Sequence, residues 1–179
     1  MRAFSQCLVG ILLLTLAILS SAQILSSAYA QVASRRPVAL EWHTFTVPEF
    51  GTKVEYPAGI FSVEDGEPEK GVGQRFSSVD GSSLLTIYSR ANDAGETPAD
   101  YLKNNLRLRR SDLDYERVTR SFFAISSSRQ GLTFYSRCNF SADAGGAIHC
   151  VDLVYPQQQR RAWDDVVTRI SRSLRPLEG

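Results

Sequence analysis

Histidine and cysteine are scarce in this 179-residue sequence, and neither is arranged in a pattern that binds metals or performs catalysis. The two histidines, His43 and His149, lie far apart, and no cluster of His, Cys or carboxylate residues has the spacing of a zinc site. The serines lack the G-x-S-x-G arrangement of a hydrolase nucleophile, and Gly71-Val72-Gly73 is too short for a nucleotide-binding loop. The sequence therefore predicts no catalytic residue, no cofactor and no metal site.

An excess of positive charge is also missing. The chain has 20 Lys and Arg residues against 19 Asp and Glu residues. A protein that binds nucleic acid or anionic lipid by general electrostatic attraction needs a basic surplus. We therefore predict no nucleic-acid partner and no membrane attachment of the mature chain.

The N-terminus has the three parts of a secretory signal peptide. Arg2 supplies a single positive charge, an apolar stretch spans residues 8–19, and the segment ends in Ala28-Tyr29-Ala30. The small side chains at both ends of that triplet fit the shallow pockets of a signal peptidase. We predict a signal peptide over residues 1–30, cleavage after Ala30, and a periplasmic or secreted location.

An uncleaved membrane anchor is the alternative for this segment. Residues 8–29 are long enough to span a bilayer core of about 30 Å. The second half of the segment is polar, with Ser20 and Gln23 among its residues, which favours cleavage. After cleavage, we predict a flexible leader over residues 31–41 and a single domain over residues 42–175.

Two cysteines lie beyond the predicted signal peptide, Cys138 and Cys150. An even number of cysteines in an exported protein indicates a disulfide. The segment 141–146 is turn-like, so we predict a hairpin centred near Ala144. This hairpin places Cys138 opposite Cys150, and cysteines in opposed positions are close enough to form a disulfide. We predict a structural disulfide between them. The alternative, a redox-active pair, usually has C-x-x-C spacing.

Short segments rich in β-branched and aromatic residues predict seven strands. They are Trp42–Val47, Thr52–Tyr56, Gln74–Val79, Ser83–Ser89, Tyr115–Ser127, Leu132–Phe140 and Ala147–Tyr155. Asp80-Gly81, between the third and fourth strands, predicts a type I′ hairpin turn, and Ser62–Val72 is typical of a loop. Connections this short make the strands mostly antiparallel.

Two helices are predicted between and after these strands. Thr97-Pro98-Ala99-Asp100 supplies an N-cap, a proline at the first helical position and an acid, so a helix starts there and runs to about Arg110. The second helix covers about residues 158–174, because five apolar residues from Trp163 to Leu174 recur at helical spacing. We therefore predict an α+β fold, with an antiparallel sheet of about six or seven strands covered by helices.

A short motif and the order of the elements carry a family resemblance. The motif is Tyr56-Pro57-Ala58-Gly59-Ile60-Phe61, which is followed by the Asp80-Gly81 hairpin, a middle helix, three long strands and a final helix ending Ile170-Ser171-Arg172-Ser173-Leu174. Over about residues 42–175 this pattern resembles the PsbP-like superfamily, the extrinsic proteins of the oxygen-evolving complex and their bacterial relatives. The resemblance implies an α/β/α sandwich and a non-enzymatic accessory, binding or assembly role, often in an exported protein.

The leading functional hypothesis is a non-enzymatic accessory protein that binds a partner protein or an envelope component. Its motivation is the lack of catalytic motifs, the predicted export and the resemblance. Aromatic residues in or beside irregular segments form the predicted binding surface: Trp42, Phe50, Tyr56 and Phe61.

Two alternative functions stay open. One is a periplasmic hydrolase in which His43 or His149 acts with a neighbouring carboxylate. The other is a small-ligand or cation binder that uses an acidic loop, although this loop does not match an EF-hand. The loop carboxylates are Glu64, Asp65, Glu67 and Glu69.

Export predicts a defined mature N-terminus. We expect cells that make the full chain to release a protein beginning at Gln31, because signal peptidase cleaves after a small-x-small triplet. Intact mass and N-terminal sequencing of the exported protein measure this. Ala30→Trp is expected to accumulate the uncleaved precursor. Recovery of the wild-type chain, uncleaved, from washed membranes would instead support the anchor.

Overall fold

The computed structural model describes residues 40–105, 109–141 and 146–176. The predicted signal peptide (1–30) and nearly all of the predicted leader (31–41) lie outside these ranges, so both stay predictions. Within the described ranges, no helix is long and apolar enough to cross a membrane.

The described residues form ten strands and two α-helices, joined by short turns. The strands are β1 (Trp42–Val47), β2 (Thr52–Pro57), β3 (Val63–Glu64), β4 (Val72–Ser77), β5 (Leu84–Ala91), β6 (Tyr115–Val118), β7 (Phe122–Arg129), β8 (Leu132–Phe140), β9 (Ala147–Pro156) and β10 (Arg175–Pro176). The helices are α1 (Pro98–Asn105) and α2 (Arg160–Ser173).

Seven of the strands form one antiparallel sheet in the order β3-β4-β5-β9-β8-β7-β6. The predicted α+β class and the antiparallel sheet of this size are confirmed. The allocation of strands differs from the prediction, because β1 and β2 pair with β10 in a separate three-stranded sheet. The large sheet reaches seven strands because the predicted loop 62–72 contains β3 and because one predicted strand is divided.

That divided strand is the predicted segment Tyr115–Ser127, which folds as the hairpin β6–β7. The Thr119 N–H donates to the carbonyl of Phe122 (2.8 Å), and the Phe122 N–H donates to the Thr119 hydroxyl (3.0 Å). A threonine side chain therefore closes the turn in place of the glycine or proline that usually marks one.

The type I′ turn also lies elsewhere than predicted. Between β4 and β5 only Gly81 has a positive φ (68°), while the Asp80 carboxylate accepts hydrogen bonds from two neighbouring serine hydroxyls (2.6 and 2.8 Å). The two-residue turn between β7 and β8 has positive φ at both positions, 54° at Gln130 and 79° at Gly131. The predicted 80–81 hairpin is present, but with a longer loop.

Helix α2 buries its predicted apolar stripe against one face of the large sheet. The side chains of Trp163, Val166, Val167, Ile170 and Leu174 are at most 8% exposed and share one cluster with residues of β5 and β9. Each fully buried residue of this kind contributes roughly 1.5–3 kcal/mol. The layer between α2 and the sheet is therefore a large share of the apolar stabilisation.

Helix α1 covers part of the opposite face, above the predicted disulfide. Cys138 of β8 lies directly opposite Cys150 of β9, their Cα atoms are 4.2 Å apart, and their sulfurs are bonded. Tyr101 of α1 belongs to the same buried cluster and stacks on Phe123. With helices on both faces of the large sheet, the fold is an α/β/α sandwich.

Loss of the disulfide is expected to destabilise the fold without changing its topology. We expect Cys138→Ala/Cys150→Ala to lower the free energy of unfolding by about 2–4 kcal/mol, because the crosslink restricts the unfolded chain. Urea unfolding measures this difference. As the control, a reductant should lower the free energy of unfolding of the wild-type protein to a similar degree and leave that of the double variant unchanged. A double variant as stable as the wild type would contradict a structural role.

Candidate functional site

The largest described cavity lies between α2 and the outer half of the large sheet, and has a volume of about 450 Å³. We call it the arginine–tyrosine groove. Its floor is formed on β6, β7 and β8 by Tyr115, Arg117, Phe122, Ala124, Ser126, Tyr135 and Arg137. Its wall and end are formed by Tyr155, Arg160, Asp164, Thr168, Ser171 and Arg172.

Strand register explains why these side chains meet. Arg117, Ala124 and Arg137 are neighbours across β6, β7 and β8, and all three side chains point to the same face. Tyr115 and Tyr135 occupy the next row, on either side of a serine of β7. Small side chains on the middle strand, flanked by long ones on both sides, leave the floor concave.

Arginine charge dominates the groove. The partly buried Arg137 donates to Asn139 Oδ1 (3.0 Å) and to Ser171 Oγ (3.2 Å), and its guanidinium carbon lies 4.5 Å from the centre of the Phe122 ring. Arg117 lies over the same ring at 5.3 Å. Burial lowers the pKa of Arg137, and the charge of Arg117 acts in the same direction, yet a guanidinium stays protonated at physiological pH.

No carboxylate neutralises these arginines within the described ranges. Four arginines line the groove, none of them forms an ion pair there, and the only acidic side chain in the lining is Asp164. A partly buried cation without a counter-ion attracts an anion, because neutral hydrogen-bond partners do not balance its charge. The groove is therefore suited to bind carboxylate groups.

The buried histidine has a structural environment. His149 is 2% exposed, and its Nδ1 lies 2.7 Å from the hydroxyl of Thr52, which also contacts the hydroxyl of Ser89. Its Nε2 lies 3.2 Å from the hydroxyl of Ser141. Burial lowers the pKa of His149, so the ring is neutral at pH 7. This network joins β2 of the small sheet to β5 and β9 of the large one.

The hydrolase alternative gains no support from this geometry. His149 has hydroxyl neighbours and no carboxylate partner among the described residues. His43 does have one, since its Nε2 lies 2.9 Å from Glu41 Oε1, but both side chains are at least half exposed. Neither histidine lines the groove or the two other cavities described below.

Of the predicted aromatic surface, Phe61 belongs to one core cluster and Trp42 and Tyr56 pack against it, whereas Phe50 is not part of it. Phe61 is 1% exposed and packs against Trp163 in the core, so it cannot contact a partner. Tyr56 stacks on a phenylalanine of β4 with ring centres 4.8 Å apart, and Trp42 lies beneath a guanidinium of α2 at 4.1 Å. Phe50 is partly buried in the turn between β1 and β2.

The acidic loop is not arranged as a metal site. Asp65 pairs with Arg75 at 3.0 Å, which occupies one of the four carboxylates. Nowhere in ranges 40–105, 109–141 and 146–176 do three or more His, Cys, Asp or Glu side chains approach closely enough to hold a metal ion. The cation-binding alternative therefore gains no support from this loop.

A second cavity, of about 320 Å³, opens on the face of the large sheet that α1 covers only in part. Asp152 lies in its lining, in the middle of β9, and the buried Oδ1 atom of this side chain has no hydrogen-bond partner among the described residues. Burial raises the pKa of Asp152 to about 6, against the opposing effects of the Ser136 and Tyr88 hydroxyls and of Lys70. A third cavity beside α1, of about 370 Å³, is mostly apolar.

Sequence reasoning missed both polar sites. The signal for the groove was a Tyr-x-Arg pattern in two strands, at Tyr115-Glu116-Arg117 and at Tyr135-Ser136-Arg137; a third copy, Tyr88-Ser89-Arg90, lies in β5 outside the groove. Residues two apart in a strand point to one face, so the two patterns become one surface once β6 and β8 are known to flank β7. No sequence signal distinguishes Asp152 from an exposed strand residue.

Comparison with known proteins identifies the fold. No protein-family model matches the sequence, and no curated protein matches it significantly. The solution structure of cyanobacterial PsbP (CyanoP) from Synechocystis matches with a TM-score of 0.55 at 11% identity, covering 82% of this chain and 99% of that one. The fold is PsbP-like. At this identity the match establishes the fold alone, so the binding chemistry of this protein must be argued from its own residues.

Asp152→Asn is expected to stabilise the PsbP-like fold above about pH 6. Folding raises the carboxyl pKa from 3.8 to about 6, so the folded state disfavours the ionised form and stability falls as pH rises through that interval. Because asparagine cannot ionise, we expect a gain of up to about 3 kcal/mol above pH 6 and almost none below pH 4.

Urea unfolding of both proteins across this pH range measures the difference. Asp164→Asn, an exposed aspartate on the other face, is the matched control and should not change the pH dependence. A constant difference between wild type and Asp152→Asn at every pH would contradict the burial of an ionisable carboxyl.

Proposed function

We propose that this protein is an exported, non-enzymatic accessory protein that binds an acidic segment of a partner protein in the arginine–tyrosine groove. The observation that carries the proposal is the partly buried Arg137, which lies beside Arg117 and has no carboxylate partner in the described chain. A carboxylate of the partner supplies the missing counter-ion.

The composition of the groove supports a protein segment as its occupant. Arginine and tyrosine are the residues that most often dominate the energy of protein–protein interfaces. Arginine pairs with carboxylates through two parallel hydrogen bonds, and the exposed part of Tyr115, which is 46% exposed, adds apolar contact area. A cavity of about 450 Å³ accommodates a few side chains of an extended segment.

Two further observations support the rest of the proposal. The groove lining contains no histidine or cysteine and a single carboxylate, so it lacks the acid–base pair or nucleophile of a hydrolase. The signal-peptide pattern at the N-terminus and the disulfide both fit an oxidising compartment outside the cytosol. The resemblance to PsbP-like proteins implies an accessory role of the same kind.

Removing positive charge from the groove is expected to weaken binding of the partner. The test is quantitative affinity capture after crosslinking in the native cell envelope, with tagged wild-type protein and Arg117→Ala/Arg172→Ala. We expect the variant to recover about tenfold less of the partner, equivalent to about 1.4 kcal/mol. Binding of the purified pair should also weaken as salt rises, because the contacts are ionic.

The control is Arg120→Ala/Arg161→Ala, which removes the same charge from two exposed arginines outside the groove lining. It should capture the partner as the wild type does. Equal losses for both double variants would indicate non-specific charge attraction, and an undiminished capture by the groove variant would reject the groove. Recovery of an anionic envelope polymer in place of a protein would reject the protein partner.

A further inference from the structure

The second cavity is independent of the groove and faces the opposite side of the sheet. We propose that it binds a small molecule that carries a primary ammonium group on an apolar body, with the ammonium held by Asp152. Its lining combines the segment Pro68–Lys70, which we call the cover, with residues of β4, β5, β8 and β9. The proposed role is binding alone and involves no catalytic step.

The Asp152 carboxylate is the group that needs a ligand. The side chain lines the cavity and is partly accessible, whereas its Oδ1 atom is buried and has no hydrogen-bond partner within the described chain. Buried polar atoms in folded proteins nearly always have a partner, and a charged one left alone is costly. An ammonium group at the accessible side of the carboxylate donates hydrogen bonds and supplies the opposite charge, which the neutral hydroxyls of Ser136 and Tyr88 do not.

The walls of the cavity favour an apolar body on the ligand. Leu84 and Val154 lie at one end, Phe134 forms part of the floor, and Pro68 contributes to the cover. The rest of the lining is polar or charged, with Glu69, Lys70, Arg75, Thr86 and Tyr88 beside Asp152. Apolar side chains with a few convergent polar groups are the usual form of a small-molecule site, and a volume of about 320 Å³ falls within the usual range of such sites.

The two basic side chains at the rim oppose a cation only weakly, because both have partners outside the cavity. Arg75 pairs with Asp65 at 3.0 Å, and the Lys70 ammonium donates to the carbonyl oxygen of Asn105 at 3.4 Å. Glu69 adds a second carboxylate to the lining. The charge of Lys70 does lower the pKa of Asp152, but it is the smallest of the opposing effects and burial outweighs it.

Ligand binding should depend on pH through this carboxyl. The charged and titratable groups facing it are Glu69 and Lys70 from the cover, Arg75 from β4, Tyr88 from β5 and Tyr101 from α1. Burial raises the pKa of both tyrosines, so they stay neutral. The carboxyl itself, with a pKa of about 6, is ionised at pH 7 and mostly protonated at pH 5.

The experiment is a titration of the purified, oxidised full protein with phenethylamine, followed by the amide NMR signals of β5 and β9. We expect saturable shifts at millimolar ligand around Thr86 and Asp152. Asp152→Asn, which keeps the side-chain shape, should weaken binding at least tenfold. Lowering the pH from 7 to 5 should weaken binding to the wild type about tenfold.

Two controls make the outcome decisive. Phenethyl alcohol has a similar apolar body without the charge and should bind at least tenfold more weakly. Asp165→Asn, at an exposed position of α2 that lines none of the three cavities, should bind phenethylamine as the wild type does. Absence of shifts with phenethylamine, equal binding of the alcohol, or undiminished binding by Asp152→Asn would each overturn the proposal. None of these results bears on the arginine–tyrosine groove.

Discussion

The pairing of β8 with β9 is the constraint on which both sites depend. β9 is the longest strand, it lies near the middle of the large sheet, and the disulfide fixes its register against β8 at Cys138 and Cys150. Because alternate residues of a strand point to opposite faces, this one register sends Arg137 toward α2 and Asp152 toward α1. A slip of one residue would exchange the two faces.

Incomplete coverage of the sheet produces the cavities. Helix α2 packs against β9 and β2, so the outer strands β6 and β7 extend past it and leave the arginine–tyrosine groove. On the other face, the described part of α1 packs on β7 and β8 and leaves the Asp152 cavity beside β4 and β5. An α/β/α sandwich with helices shorter than its sheet thus leaves separate cavities on its two faces, one lined by arginines and one by Asp152.

Local patterns in the sequence were enough to predict much of the fold. The stripe from Trp163 to Leu174 predicted α2 because helix periodicity is set by backbone geometry, and the hairpin loop length predicted the disulfide register. The turn at Thr119 was not predicted, because a side-chain hydroxyl closes it and no glycine or proline marks it. The two sites were not predicted for a different reason. Their residues come from four or five separate elements, so the charged side chains meet only through strand order and burial, which no local sequence pattern encodes.

The His149 network has a consequence for the evolution of this chain. Thr52, Ser89 and His149 are all at most 2% exposed and satisfy one another across the two sheets. Loss of one partner leaves the others buried and unsatisfied, whereas replacing the whole set with apolar residues of similar shape is nearly neutral. Among relatives that share this fold, these three positions are therefore expected to covary, so that each relative keeps the set or replaces it whole.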